Sequence, residues 1–338
     1  MKKLLLASTA LVMSAGVASA EVALSGSAEM GFVYDGDDVR MTSEAIVTFT
    51  MSGETDGGLA FGASFDADGA TGAAGGTVMN SGTVFISGEF GKLTFGDVSS
   101  AARAAAGDLY GVGLTGLGDL NEVAYLDRAG FAGLFTGNDY DTGALYEYSI
   151  DGFTGYIGLS QNNVARGVSL TPALVLVGDP TGKLRDNVIS LGAKYTWEGL
   201  TGAIGYEYAR SNSSSVIVAN NFSTKSSHIV ASLEYEMDMF KAKAFVGRAG
   251  GDLGTALAAS ATDSRTHYGL SAEGSFDATT VTAFAYRGFD ENVDLGVGAA
   301  YDLGGGASIK AGIVRDTFDV GATTDSMTMA DFGLAFTF

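Results

Sequence analysis

The sequence predicts an all-β protein: a transmembrane antiparallel up-and-down β-barrel of 16 strands, with a long third loop folded into the lumen. Three observations carry that expectation. The closing strand has a purely apolar face, its alternation recurs along the chain, and the connections switch between tight turns and long stretches. In Met327–Phe338, residues Phe332, Leu334, Phe336 and Phe338 fall on one face, and Asp331, Gly333, Ala335 and Thr337 on the other. A side-chain period of two is that of a strand. Such an apolar face must be buried or meet lipid, and its recurrence favours lipid.

The chain opens on a different kind of segment. Lys2 and Lys3 form a basic start, Leu4 to Val12 a short apolar run, and Ala18-Ser19-Ala20 a small-residue cleavage site. Residues 1–20 read as a secretory signal peptide removed before Glu21, the run being too short for a membrane anchor. That leaves 338 − 20 = 318 residues. The length suits one large barrel or two ordinary domains. No linker or compositional break divides 21–338, so a single domain is expected.

Alternating segments give 16 candidate strands, starting near Val22, Met41, Gly58, Ser81, Lys92, Ala144, Phe153, Asn187, Leu200, Ser226, Phe240, Arg265, Thr279, Asn292, Ala307 and Met327. Tight turns are expected at 53–57, 88–91, 151–152, 198–199, 238–239, 277–278 and 304–306, where Asp-Gly and Gly-rich pairs supply positive φ. Longer stretches occupy 35–40, 68–80, 98–143, 162–186, 212–225, 250–264 and 317–326, with a short connection near 288–291. Short turns at one end and long loops at the other are the pattern of a membrane barrel.

Phase decides which way the faces point. Ile189, Leu191, Ala193, Tyr195 and Trp197 share one face, while Ser190, Lys194 and Thr196 share the other. A soluble sandwich and a membrane barrel both alternate, with the apolar face inward in the first and outward in the second. Aromatic placement separates them. Phe90, Phe153, Trp197, Phe240, Phe276, Tyr301 and Phe338 each sit beside a tight turn or the end of the chain, on the apolar face. That is an interfacial girdle.

Composition removes other classes. Gly is 50 of 338 and Pro 2, with frequent aromatics, which fits neither collagen nor disorder. Beyond the leader no run of 18 apolar residues occurs, so transmembrane helices are excluded. There is no cysteine for a disulfide or thiolate site, and the two histidines, His228 and His267, rule out a His-rich cluster. Net charge is −20, or −22 without Lys2 and Lys3, which argues against nucleic-acid partners. An acidic aqueous path would enrich cations.

Motifs for chemistry are weak. Gly111-Val-Gly-Leu-Thr-Gly116 matches G-x-G-x-x-G, but it neither directly follows a strand nor opens a helix. Asp35-Gly-Asp-Asp38 and Asp66-Ala-Asp-Gly69 look like fragments of calcium loops without the closing Glu, and read as solvated turn acids, with weak calcium sites left open. No hydrolase motif is present, so neither an enzyme nor a cofactor is expected. The informative stretch is Gly91-Lys-Leu-Thr-Phe-Gly-Asp97 followed by Val98–Gly143. It is rich in Ala and Gly and carries Asp108, Asp119, Glu122 and Asp127 with Arg103 and Arg128. A stretch that long is usually functional. Small residues let its backbone pack on a barrel wall while its acids face the remaining water.

With its leader, its strand Lys92–Asp97 before a long third loop, and its closing strand ending in Phe338, the chain resembles the trimeric general porins of Gram-negative outer membranes, the alphaproteobacterial branch most. The resemblance covers 21–338 as an architecture. It implies a third loop forming a constriction at 98–143, a C-terminal aromatic (Phe338) read by the assembly machinery, homotrimers in outer-membrane lipid, and passage of small hydrophilic solutes and ions. It also implies loop acids, here Asp108, Asp119, Glu122 and Asp127, facing wall bases. Arg40 and Lys92 are in lumen phase near the expected region, while Lys194, Lys241, Lys243, Arg287 and Lys310 are dispersed. The expected function is a passive diffusion channel. A substrate-selective channel for sugars or anions on the same fold, and a secreted β-rich adhesin, are the competing readings.

Overall fold

A computed structural model of the protein describes residues 21–67, 82–126, 142–163, 169–170, 176–177, 185–214, 221–252, 265–320 and 323–338. The expected signal peptide lies outside the described residues. In chain order the strands are β1 (Glu21–Tyr34), β2 (Val39–Glu54), β3 (Ala60–Asp66), β4 (Gly82–Gly88), β5 (Gly91–Gly96), β6 (Thr142–Ile150), β7 (Phe153–Asn163), β8 (Ser169–Leu170), β9 (Leu176–Val177), β10 (Arg185–Trp197), β11 (Leu200–Ser214), β12 (Asn221–Met237), β13 (Phe240–Gly250), β14 (Thr266–Phe276), β15 (Thr279–Arg287), β16 (Val293–Gly304), β17 (Ala307–Val320) and β18 (Thr323–Thr337). All except β8 and β9 join one closed barrel, 16 strands in sequence order, sealed where β18 meets β1. Every pair is antiparallel, and the seam is in register from Ser27↔Thr337 to Tyr34↔Ala330. The pair β8–β9 forms a separate ribbon.

Each expected start falls within or beside a barrel strand. Two connections differ. The stretches 212–225 and 317–326, expected as long loops, are mostly ladder, since Ser214 pairs with Asn221 and Val320 with Thr323. The reason is physical. The sequence there carries no continuous apolar alternation, while the backbone pairing continues.

The tight turns hold as expected at one end. Asp151-Gly152 has φ of 47° and 81°, and Glu198-Gly199 has 48° and 84°. Two successive positive φ values are what a two-residue hairpin needs to match strand twist. The closing strand ends here too: the Phe338 N–H donates to Gly26 O at 2.9 Å, and the Gly26 N–H returns to Phe338 O at 3.2 Å.

The apolar face is outside. On β10, Ile189, Leu191, Tyr195 and Trp197 are 51–60% exposed, while Val188 and Ser190 on the alternate positions are buried. The girdle residues Phe90, Phe153, Trp197, Phe240, Phe276, Tyr301 and Phe338 are all exposed, between 44% and 80%. An exposed apolar face this extensive has no place in water and matches a lipid-facing wall.

The buried core lies on the other face. Residues 98–126 pass along it strand by strand. Ala101 meets Gly158 of β7 and Gly192 of β10, and Ala102 meets Gly205 of β11. The Ala106 carbonyl accepts from Ser232 of β12, and the Tyr110 N–H donates to Ser271 of β14. Val112 and Leu117 pack with Phe284 of β15 and Val314 of β17. Leu114 meets Gly333 of β18 and Gly31 of β1. A segment that touches the face opposite the apolar one, from β7 round to β1 of a closed wall, runs within it.

Candidate functional site

The segment begins as a short helix, α1 (Ala101–Ala106). Ser100 caps it, its Oγ accepting the Arg103 N–H at 3.2 Å. Gly107, at φ 63°, ends it. Four alanines, Ala101, Ala102, Ala105 and Ala106, are buried, and the first three lie against wall glycines. At Gly205 a Cβ would stand 2.6 Å from Ala102, so only glycine there lets the helix approach. The Ala101 N–H donates to Ser190 Oγ at 2.8 Å, fixing the helix start to β10.

A second anchor holds the middle. Asp331 of β18 is buried, and one of its oxygens accepts three bonds: from the Leu114 N–H at 2.8 Å, the Thr115 N–H at 2.7 Å and the Thr115 hydroxyl at 3.0 Å. Gly113 (φ 87°) and Gly116 (φ 76°) turn these groups toward the carboxylate. The G-x-G-x-x-G run is therefore an anion nest, filled by the protein's own aspartate. A third anchor is Glu207 of β11, whose Oε2 accepts the Leu126 N–H at 2.8 Å.

Charge is arranged on this frame. Arg103 Nη2 lies 2.5 Å from Asp108 Oδ2 and 3.0 Å from Glu122 Oε1. The other Asp108 oxygen accepts the Val123 N–H at 2.9 Å. Asp108 and Glu122 are thus brought together by an arginine of their own segment. Asp119 is exposed at a left-handed position, φ 54°, and Asp127 lies outside the described residues.

On the wall, Lys243 is buried 3.6 Å from Glu234. Lys241 pairs with Glu273 at 2.8 Å and sits 4.6 Å from the Tyr110 ring centre. Burial pushes the Tyr110 phenol above its ordinary range, with Glu234 adding to the rise. Lys194 lies 5.5 Å from the Tyr156 ring. Arg40 and Lys92 are not brought to this group by any contact. Arg40 meets Asp35 at 2.7 Å beside the 35–38 connection. Lys92 is 4.0 Å from Glu147 and 4.9 Å from the Phe85 ring, next to a tight turn. The Asp38 and Asp37 N–H groups, with Arg40, hold the Asp35 carboxyl below its usual range. Among the described residues, no three His, Cys, Asp or Glu side chains converge as a metal site.

Asp331, Glu207 and Ser190 are residues the sequence reading passed over. Asp331 carried a signal. It is the lone charge in the run Met327–Phe338, and a glycine-rich nest needs an anion to fill it. Glu207 and Ser190 had none, because their partners are more than 80 residues away in sequence.

A closed barrel with an apolar exterior, and with a charged segment crossing its interior, defines a membrane-spanning channel. The chain belongs to the Gram-negative porin family: the family model matches residues 7–321. A curated porin from Rhodobacter capsulatus is 34% identical, over 94% of this chain and 100% of its own length. A solved porin structure refined at 1.8 Å is 33% identical with a TM-score of 0.71, covering 94% of this chain and 100% of the other. A variant of the Rh. blastica porin, 19% identical at TM-score 0.53 and with the same coverage, shares the fold. The protein is an outer-membrane channel and not an enzyme.

Proposed function

We propose that the protein is a general porin for passive diffusion of small hydrophilic solutes and ions, with residues 98–143 as its constriction. The observation that carries this reading is the anchoring of 98–126 at Ser190, Asp331 and Glu207. A segment tied at three points on the wall holds a fixed opening, and sieving needs one. No bound cofactor enters the mechanism. Solutes pass through water, biased by the charges that line it.

The bias favours cations. Asp108 and Glu122 share one arginine, so that group keeps a negative excess, and Asp119 adds to it. In a narrow, partly desolvated opening such charges act more strongly than in open water. Replacing Asp108, Asp119, Glu122 and Asp127 by Asn or Gln tests this. The reversal potential in a salt gradient should move toward anions while the barrel stays folded. An unmoved potential would remove the segment from selectivity.

Homotrimerisation and export through a cleaved leader, residues 1–20, complete the proposal. Strand length supports the trimer. β5 has 6 residues, while β1 and β2 have 14 and 16. A spanning strand needs about 9–11 residues. A wall this low, with Val84 and Phe95 exposed outside it, calls for cover by protein, and a second copy supplies it.

A further inference from the structure

Four side chains on the inner wall, three buried and Tyr286 partly so, are not explained by permeation. Glu207 of β11, His228 of β12, His267 of β14 and Tyr286 of β15 form a continuous hydrogen-bonded chain. Glu207, His228 and His267 are completely buried. His228 Nδ1 lies 3.1 Å from Glu207 Oε2, the two imidazole Nε2 atoms are 2.8 Å apart, and His267 Nδ1 lies 3.0 Å from the Tyr286 hydroxyl. The chain crosses β13 because Gly247 has no side chain there; a Cβ would stand 2.6 Å from His228 Nε2.

Both ends of the chain face the lumen segment. The Leu126 N–H donates to Glu207. The Ala124 backbone acts on the Tyr286 oxygen. Between them, Tyr125 is buried edge-on against His228, ring centres 5.8 Å apart. Phe289 stacks on His267 at 4.3 Å.

The proton count of this chain is full. With Glu207 ionised, His228 Nδ1–H donates to it, His267 Nε2–H donates to the bare His228 Nε2, and the Tyr286 hydroxyl donates to His267 Nδ1. Every ring nitrogen is then used once. One further proton is accommodated on His267 Nδ1, the Tyr286 oxygen then accepting; a second, on His228 Nε2, would set two N–H donors against each other across 2.8 Å, between two adjacent positive rings. Burial leaves no water to separate them, so the rings must part.

We propose that Glu207, His228, His267 and Tyr286 form an acid-sensitive latch: protonation of the apposed imidazoles releases residues 123–126 from the wall. Charged groups around the chain set its threshold. Asp290 in the 288–292 connection, Asp294 of β16 and Asp108 of the lumen segment all act on Tyr286. Arg103 faces from the segment, 5.8 Å from the Tyr125 ring. From β13, Gly247 lies between the buried apolar Phe245 and Ala249 and adds no charge. Histidine is the side chain whose ordinary titration falls between about pH 5 and 8.

The expected effect on conductance rests on the constriction reading; the release of the segment does not. Two measurements on the full-length protein separate them. Amide exchange at 123–126, corrected for the intrinsic rate, is compared at about pH 7.5 and about pH 4.5, alongside single-channel recording at the same values. Protection at Ala124 and Leu126 should fall by about tenfold or more in acid, the scale of one imidazole pKa unit. His267→Phe keeps the stack on Phe289 and should abolish the acid step. If that variant does not fold, His228→Gln serves in its place. Equal protection at both pH values, or an acid step that survives in the folded variant, overturns the latch. An acid step in exchange without a change in conductance upholds the latch and counts against the constriction.

Discussion

Arginine placed on the outer wall measures which face meets lipid and how deep. Val297 of β16 is 47% exposed and points outward, between Ala283 and Ile313 on the neighbouring strands. It lies four residues from Tyr301 of the girdle. At about 3.4 Å per residue and a tilt of about 40°, that is about 10 Å along the membrane normal. The apolar band of such barrels is about 25 Å tall, so Val297 sits near the midplane. Val297→Arg should therefore cost about 2–4 kcal/mol, a factor of about 30 to 1,000 in the folded ratio. Leu295 is a poorer probe. Its neighbour on β17 is Arg315, a charge already on that face and bonded to Ser326 at 3.2 Å. The inward control is Thr50 of β2, exposed and in phase with Ser64. Thr50→Arg should change stability by no more than about 0.5 kcal/mol. The assay is reversible unfolding in urea from lipid vesicles. Trp197, the single tryptophan and an exposed girdle residue, reports insertion by its fluorescence. Equal costs for Val297→Arg and Thr50→Arg would refute the inside–outside assignment.

Deleting Phe338 removes an exposed girdle ring and the paired bonds to Gly26, so heat-modifiable assembled protein should fall; unchanged levels in the outer membrane would contradict that. Asp331→Ala strips three donors of their shared acceptor and should expose 107–119 to protease with the barrel intact, while Asp331→Asn should restore part of the protection; a segment as resistant as in the parent would show the nest is not an anchor. Cation preference should fade as the Debye length shrinks to about 3 Å at 1 M salt, and a preference independent of salt would point to a discrete binding site instead.

Strands were legible wherever one face met lipid, because apolar alternation then had to be continuous. The face Phe332 to Phe338 and the outward row Ile189 to Trp197 are such cases. Legibility ended where strands left the apolar band. β17 and β18 continue through Thr317–Asp319 and Asp325–Ser326, where Phe318 is the one apolar side chain and the backbone ladder persists without apolar alternation. The length and small residues of 98–143 pointed to a segment folded against the wall. Its anchors could not be read, because they join Ala101 to Ser190, Leu114 to Asp331 and Leu126 to Glu207 across the closed wall. Pairing across that distance depends on which strand stands opposite, and this follows from closure rather than from any local pattern. The acids were visible as acids; that Asp108 and Glu122 would share Arg103 required the fold of the segment itself.

Purified protein in a planar bilayer, recorded as single channels over a range of salt and with neutral solutes of increasing size, tests the channel account most directly. The account predicts discrete conductance steps that grow in proportion to bulk conductivity, and a sharp size limit that rises when Asp331→Ala frees the segment. Absence of conductance, or a conductance that saturates at low salt and ignores that substitution, would contradict it.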